Sequence, residues 1–499
     1  MLISDIIKDI RIRHCYLKDD VEINDIKINS AEVKSGDLFI AIKGENFDGN
    51  DYILNALQNG ASVVFSEREF DEDFGDSDKI VRVENARSAY AIASKNFFDR
   101  ACDNLKIIAV TGTNGKTTIA NTTTDLLRFA GAKVGVIGTL GAKIDDKVID
   151  TGLTTPDPYM LHKIFKEMKE NGCEYVVMEA SAHALALNKL DGIKFEIGVL
   201  TNITEDHLDF FKTMDNYTNA KFNLFERGKV KLGIVCGDDE RCRELLIKAK
   251  VPMISYGINR FCDVHGVNIN KSFSGSKFDC YYLGEKIDIK TELVGEYNIQ
   301  NSLASIAICR SLGVPAELVR LGMSCISPVE GRFNIIKTKN NNIIIDYAHT
   351  PDGLEKILTT ARDLSDKRLV VVFGCGGNRD RQKRPIMGEI ASSLADYVIL
   401  TSDNPRYEEP LDIISEINAG AVKPCKIIEN RKNAIEFALK NFCDGQTIVI
   451  AGKGAEKYQD IKGVKHPYND FDVVYNFERQ KIKSLTKREE NFDDENEQT

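Results

Sequence analysis

No apolar run in the 499 residues approaches the ~18 that a membrane-crossing helix needs, so the chain is not expected to span a bilayer. Its first residues, MLISDIIKDIRIRHCYL, lack the basic end, apolar core and small-residue cleavage site of a secretory leader, and the chain is expected in the cytoplasm. Positive charge is also in short supply. The formal net charge is −10, and a nucleic-acid binder needs a positive surface to displace counterions, so no nucleic-acid partner is expected. Small anionic ligands remain compatible with it, because local donors outweigh a modest global charge. The 12 cysteines include no C-x-x-C pair, and several, such as Cys309 and Cys375, sit in apolar runs. They read as small buried hydrophobes rather than metal ligands or disulfides.

What is present is the composition of a soluble globular protein, 42% hydrophobic and 28% charged. The length suggests roughly three domains. Residues 1–103 hold two β-like runs, DLFIAI and ASVVF, around the turn-rich GENFDGND, and NARSAYAIASKNFF reads as a helix. From residue 104 short β-branched runs alternate with helical patterns, the signature of a doubly wound, mostly parallel sheet. The alternation restarts near residue 331 and continues to about residue 485, and the polar, acidic end, 486–499, reads as a disordered tail. The fold class expected is α/β in three domains.

Seven apolar runs each end directly in a polar cluster: KIIAV in TGTNGKTT, YVVM in EASAH, IGVL in TNITEDH, NIIID in YAHTPD, VVVF in GCGGNRDR, YVIL in TSDNPR and TIVI in AGKGAE. In open α/β sheets ligands bind beyond the carboxyl ends of the strands. The first three clusters are therefore expected to face one site on the central domain and the last four a site on the third domain, with a substrate shared across the cleft.

The string KIIAVTGTNGKTTIANTTTDLL has the strand–loop–helix form of a phosphate cradle, in which glycines let backbone N–H groups approach an anion at a helix N-terminus. Lys116 would meet the β- and γ-phosphates of ATP, and the Thr117 hydroxyl would hold Mg²⁺. It departs from the standard G-x-x-x-x-G-K-[ST] pattern, because position 110 is Val. Glu179 and His207 each follow a strand. A carboxylate beside the loop threonine is the ordinary Mg²⁺ partner and a histidine a rarer one, and either residue alone would more often be structural.

Together these motifs resemble the Mur ligases of peptidoglycan synthesis, and among them the UDP-N-acetylmuramoyl-tripeptide synthetases, which add the third amino acid. The resemblance runs from about Ser30 to Gln459 on TGTNGKTT, TNITEDHLD, GEYNIQN, EGRF, DYAHTPD, FGCGGNRDRQKRP, DNPR and GKGAE. It implies an N-terminal UDP-sugar-binding domain, a central ATPase and a Rossmann-like C-terminal domain for the incoming amino acid. It also implies transfer of the γ-phosphate of ATP to the D-Glu carboxylate of UDP-N-acetylmuramoyl-L-alanyl-D-glutamate, and attack of an amine on the acyl phosphate.

Carried over by position, the resemblance assigns Gly112, Thr113, Asn114, Gly115, Lys116, Thr117, Thr118, Asn298, Arg332, Asp346 and His349 to ATP. Metal ligation falls to Thr117, Glu179, His207 and Lys221 (as a carbamate), and catalysis to Lys116, Glu179, His207 and Lys221. Ser30, Thr154, Thr155, Ser181 and Lys189 match positions for the UDP-sugar peptide. Arg379, Asp403, Asn404, Pro405, Arg406, Gly452 and Glu456 match a meso-diaminopimelate pocket, in which arginine takes the distal carboxylate and Asp403 and Glu456 the distal amine. Without the family, Lys221 in NAKFNLF would read as a solvated helix lysine. Departures cluster in the acceptor region: Asn29 and Ala31 flank Ser30 where Asp and Arg are usual, Asn50, Phe211 and Ala455 replace His, Ala182 replaces Ser and Lys189 replaces Arg. The enzyme is expected to act as a monomer. Three alternatives stay open: a paralogue adding L-lysine or using a modified acceptor, a folylpolyglutamate-type ligase, and a silent nucleotide-binding scaffold.

Overall fold

The computed structural model describes residues 1–44, 47–70, 76–338, 341–442 and 445–481. The expected acidic tail lies outside the described residues, as do two positions of the GENFDGND turn.

Three large sheets follow one another along the chain, and a two-stranded one, Tyr458–Ile461 with Val464–Pro467, comes after them. The first has five strands in the order Ile12–Cys15, Ile80–Val83, Val63–Ser66, Leu38–Ile40, Ile26–Lys27, parallel except for its first member. The helix Ala86–Phe97 starts at Asn85, whose side chain accepts from the Ser88 N–H. DLFIAI and ASVVF thus became adjacent parallel strands.

The second sheet has eleven strands, and its parallel centre is Lys106–Thr111 between Tyr175–Glu179 and Phe195–Leu200. Burial on both faces explains the unbroken apolar run of KIIAV. Ile107 and Ala109 join one core, with Phe165 and Met168 of the helix Pro158–Glu170; Ile108 and Val110 join the other, with Ile119 of Lys116–Phe129 and Leu303 of Glu296–Ser311. Glu179 pairs with Val110 and Leu200 with Thr111, so three strands end at one level. Because the chain runs on from Lys106–Thr111 to Val134–Gly138 on one side of the sheet and from Phe195–Leu200 to Val230–Cys236 on the other, this end is the crevice where such sheets bind ligands.

The third sheet orders Asn334–Lys337, Asn342–Asp346, Thr447–Ala451, Leu369–Phe373, Tyr397–Leu400 and Lys426–Ile427, parallel after its first strand. Its four long strands are the last four apolar runs of the sequence, and their ends also converge. Gly331, at φ +76°, shows how closely the segments meet: a Cβ there would lie 2.1 Å from the Ala455 nitrogen.

The eleven described cysteines are free, and eight are buried as expected. Cys15 and Cys325 are exposed and Cys425 half-exposed, because each lies on an edge strand, at a helix end or before a short edge strand rather than in a packed run. No described helix is long and apolar enough to cross a membrane.

Candidate active site

The phosphate loop is shaped by two glycines. Gly112 (φ +142°) passes so close to Thr201 that a Cβ would sit 1.8 Å from its hydroxyl, and Gly115 (φ +89°) starts the helix Lys116–Phe129 in the left-handed region that L side chains avoid. The Asn114 N–H donates to Asn202 Oδ1 (2.9 Å) and the Thr201 hydroxyl donates to the Asn114 carbonyl (2.6 Å), which pins the loop to the neighbouring strand end. Lys116 Nζ donates to the carbonyls of Gly112 (2.9 Å) and Thr113 (2.8 Å). From the third segment Arg332 donates to Thr117 Oγ1 (3.1 Å) and lies 4.4 Å over the Tyr347 ring.

Glu179, only 1% exposed, ends the adjacent strand, and Thr139 holds both of its carboxylate oxygens: the amide donates to Oε1 (2.8 Å) and the hydroxyl to Oε2 (3.1 Å). The Thr154 hydroxyl stands 3.2 Å from that of Thr139. Thr155 donates to the Glu179 carbonyl (2.8 Å) and accepts from the Ser181 amide (3.0 Å), while Ser181 caps the short helix Ala182–Ala186.

On the other flank His207 takes a left-handed backbone (φ +57°), and its Nε2 lies 3.3 Å from Asp206 Oδ2. Burial outweighs that carboxylate and holds the His207 pKa down to about 4, leaving a neutral imidazole able to ligate. The His183 ring meets it edge-on at 4.7 Å. Lys221, expected from composition alone to be solvated, is 1% exposed, with its ammonium 4.1 Å from the Tyr217 ring centroid. Burial first, and the charge of Lys116 second, push its pKa well below the ordinary lysine value.

Lys116, Thr117, Thr139, Thr154, Glu179, Ser181, Asp206, His207, Lys221 and Arg332 line one cleft of about 320 Å³, together with Thr113, Thr118, His349, Arg379, Asp403, Asn404, Arg406, Gly452 and Glu456. His349 is also held near pKa 4, chiefly by burial and then by Lys383, whose Nζ donates to its carbonyl (3.0 Å). On the far wall Asn404 donates to Glu456 Oε2 (2.9 Å), and the fully buried Lys453 donates to both Asn404 Oδ1 (2.9 Å) and Glu456 Oε2 (2.8 Å). Arg406, itself at φ +51°, donates to the Gly377 carbonyl (2.7 Å).

Other predicted residues lie outside this cleft. Asn298 and Asp346 line a neighbouring cavity of about 90 Å³ beside the loop, where Asp346 accepts from the amides of Phe333 and Ala348 (both 2.7 Å). Thr155 is buried behind Glu179, and Pro405 lines none of these cavities. Ser30 and Lys189 line a separate, mostly apolar pocket of about 540 Å³ with Phe39, Ile42 and Tyr90; Lys189 pairs with Asp157 at 2.5 Å. Asn50 is turned into a local network, donating to Asp48 (2.7 Å) and accepting from Ser66 (2.7 Å).

Sequence reading missed Thr139, Lys383 and Lys453. Thr139 directly follows an eighth strand, Val134–Gly138, whose run VGVIG was not counted because glycines interrupt it. Lys453 was passed over between the two glycines of AGKGAE.

Among the described residues no three His, Cys, Asp or Glu side chains gather as a ready-made metal site. The donor set nevertheless fits Mg²⁺, which takes few protein oxygens and keeps its waters. Thr117, Glu179 and neutral His207 line the same cleft, with Lys221 beside them.

A phosphate loop on one parallel sheet, facing a charged pocket at the strand ends of another, defines the class: an ATP-dependent ligase that forms amide bonds. Profiles described as the Mur ligase family catalytic domain, the Mur ligase middle domain and the Mur ligase glutamate ligase domain match residues 22–98, 110–309 and 331–454. Curated relatives named UDP-N-acetylmuramoyl-L-alanyl-D-glutamate–2,6-diaminopimelate ligase include those of Clostridium botulinum and Aquifex aeolicus. The first is 40% identical over 93% of this chain and 97% of its own, the second 40% identical over 91% and 93%. A solved structure of an enzyme with that name superposes with TM-score 0.69 at 29% identity, covering 97% of this chain and 99% of that one. Mycobacterium tuberculosis folylpolyglutamate synthase, at TM-score 0.61 and 18% identity over 73% of this chain and 92% of that one, shares the fold. The chain belongs to the Mur ligase family.

Proposed function

We propose that this enzyme adds meso-diaminopimelate to UDP-N-acetylmuramoyl-L-alanyl-D-glutamate at the expense of ATP, in the cytoplasmic assembly of peptidoglycan precursors and as a monomer. The observation that carries this reading is the single cleft in which Lys116, Glu179 and Lys221 face Arg379, Arg406, Asn404 and Glu456. The names of relatives 40% identical over nearly the whole chain support it. So does the order of the sheets, with strands within 12–83, 106–291 and 334–451, which suits domains at 1–103, 104–330 and 331–485 for the UDP-sugar, ATP and the amino acid.

A carboxylate is a poor electrophile until one oxygen becomes a good leaving group, which phosphoryl transfer from ATP accomplishes. Lys116 and the loop amides hold the transferring phosphate at the helix N-terminus, and Arg332 adds a second positive group from across the cleft. Thr117, Glu179 and His207 would hold Mg²⁺, which when bound neutralises phosphate charge. Burial favours the neutral amine of Lys221, whose lone pair adds to CO₂ with loss of a proton, and the resulting carbamate is an oxygen donor where an ammonium would be repelled. The acceptor peptide passes Thr154 and Ser181 toward Ser30 and Lys189. The incoming amino acid is oriented by its far end: the Arg406 and Arg379 forks take the distal carboxylate, and Asp403, Asn404 and Glu456 the distal ammonium. Its near amine then attacks the acyl phosphate with phosphate leaving, a step accelerated by holding both reactants in place.

The test is an amino-acid panel with the UDP-sugar dipeptide, read by phosphate release and product mass. Diaminopimelate should be the substrate used, and equal use of L-lysine would overturn the assignment. A modified acceptor is the second reading, favoured by the inward-turned Asn50 and by Asn29, which accepts from the Ala31 amide (3.1 Å). The same assay with acceptor analogues decides it.

A further inference from the structure

Arg384, in the KRP that closes the GGNRDRQKRP motif, lies outside every cavity described above yet is fully buried at the start of the helix Lys383–Leu394. Its guanidinium donates to Glu408 through both terminal nitrogens (2.8 and 2.9 Å), to Glu416 (2.8 Å) and to the Gly376 carbonyl (3.3 Å). Glu408 in turn accepts from the Asn378 amide (2.5 Å), and the fork of Arg384 is the foremost cause that holds its carboxyl down to about 2. Glu408 follows Arg406 by two residues; Asn378 precedes Arg379 by one.

Direct bonds also join the two loops. The Gly377 amide donates to the Asn404 carbonyl (2.9 Å), the Tyr407 amide to Asn378 Oδ1 (3.0 Å), and Arg406 Nη1 to the Gly377 carbonyl (2.7 Å). The fit has no slack, since a Cβ on Gly377 would meet the Pro405 carbonyl at 1.9 Å. A buried guanidinium with two carboxylates is rarely the most stabilising way to fill a core, and one well-attested reason for such a group is to enforce a single geometry. The geometry enforced here is the separation of the two loops that carry Arg379 and Arg406.

We propose that Arg384 is a positioning residue for amino-acid recognition, which through Glu408 sets the spacing of Arg379 and Arg406 without touching the substrate itself. This rests on the assignment of those two arginines to the distal carboxylate. Bidentate recognition is sensitive to spacing in a way that simple charge attraction is not, so a relaxed brace blurs discrimination before it abolishes turnover.

The experiment compares Arg384→Lys, which keeps the charge but loses the fork, with Glu408→Gln, which keeps the shape but loses the charge and one of the two acceptor oxygens that the fork holds. Each is assayed in the full-length enzyme with one substrate varied at a time and with Arg406→Ala alongside. Both variants should raise KM for diaminopimelate at least tenfold and narrow its preference over L-lysine. KM for ATP and for the UDP-sugar dipeptide, and kcat at saturation, should stay within twofold. An unchanged KM for diaminopimelate in Glu408→Gln overturns the brace, as does a fall in all parameters together, which a merely structural role produces. If Arg406→Ala loses selectivity while both brace variants keep it, only the brace fails. If Arg406→Ala keeps it as well, the pocket assignment fails and takes the brace with it.

Discussion

The two walls of the cleft are built on opposite electrostatic plans. On the central sheet the groups beside Lys116 are pushed toward their neutral forms or held by neutral donors: Lys221 and His207 are both shifted that way by burial, and Glu179 is fixed by an amide and a hydroxyl of Thr139. On the third sheet the groups are fixed as ions by other ions. Lys453 joins Glu456, Arg384 joins Glu408 and Glu416, and behind them the wholly buried Arg431 meets Asp470 at 2.8 Å. The difference suits the tasks proposed for the two walls. Ligation and amine chemistry need unprotonated lone pairs, which desolvation supplies, whereas recognition of a zwitterion needs permanent charges in fixed places.

The largest effects should come from the central wall. Lys116→Ala should cut kcat by about three orders of magnitude, roughly 4 kcal/mol, while the thermal melt stays near wild type. Lys221→Ala should fall nearly as far and recover partly with formate or acetate, which return an oxygen ligand; full activity without rescue would break the contrast between the walls.

Arg406→Ala tests the other plan and should lose about 2 to 4 kcal/mol in kcat/KM for diaminopimelate, with its preference over lysine collapsing. Unaltered selectivity would mean that the ions of this wall serve the fold and not the substrate. Thr139→Val, which deletes a hydrogen bond to a buried carboxylate, should lose about 1.5 to 3 kcal/mol, restored by Thr139→Ser. Titrating Mn²⁺ into the ligand-free protein should show the same ordering, since a loosened Glu179 binds the ion more weakly.

A last effect is on stability. Burial lowers the folded-state pKa of His162 to about 3 and of His207 and His349 to about 4, against an ordinary value of 6.5. Between those values the unfolded chain binds protons that the folded one refuses, so stability should fall as pH drops from about 6.5 toward 4. Melts of wild type and His162→Leu across that window check the sign: the variant should show the shallower slope.

Much of the fold was legible because its signals are local. Continuous apolar runs marked strands buried on both faces, and the polar clusters at their ends lay where parallel sheets bind ligands. Val134–Gly138 escaped for the same reason, since its glycines dilute the pattern. A Cβ on Gly138 would stand 2.2 Å from Glu179 Oε1, so that glycine belongs to the site that the reading did find. Cys15 and Cys325 were misjudged because apolar character does not report which residue ends on an edge.

The sequence by itself determined the phosphate loop, the seven strand-end clusters and the family, all of which rest on residues within a few positions of one another. Only the tertiary structure decided that Lys221 is buried against Tyr217, that Thr139 grips Glu179 across 40 residues, and that Arg384 reaches Glu408 and Glu416 from another helix. Backbone conformation is set largely by near neighbours. The charge state and aim of a side chain depend on what the whole chain packs around it, and desolvation is a property of that packing rather than of any residue.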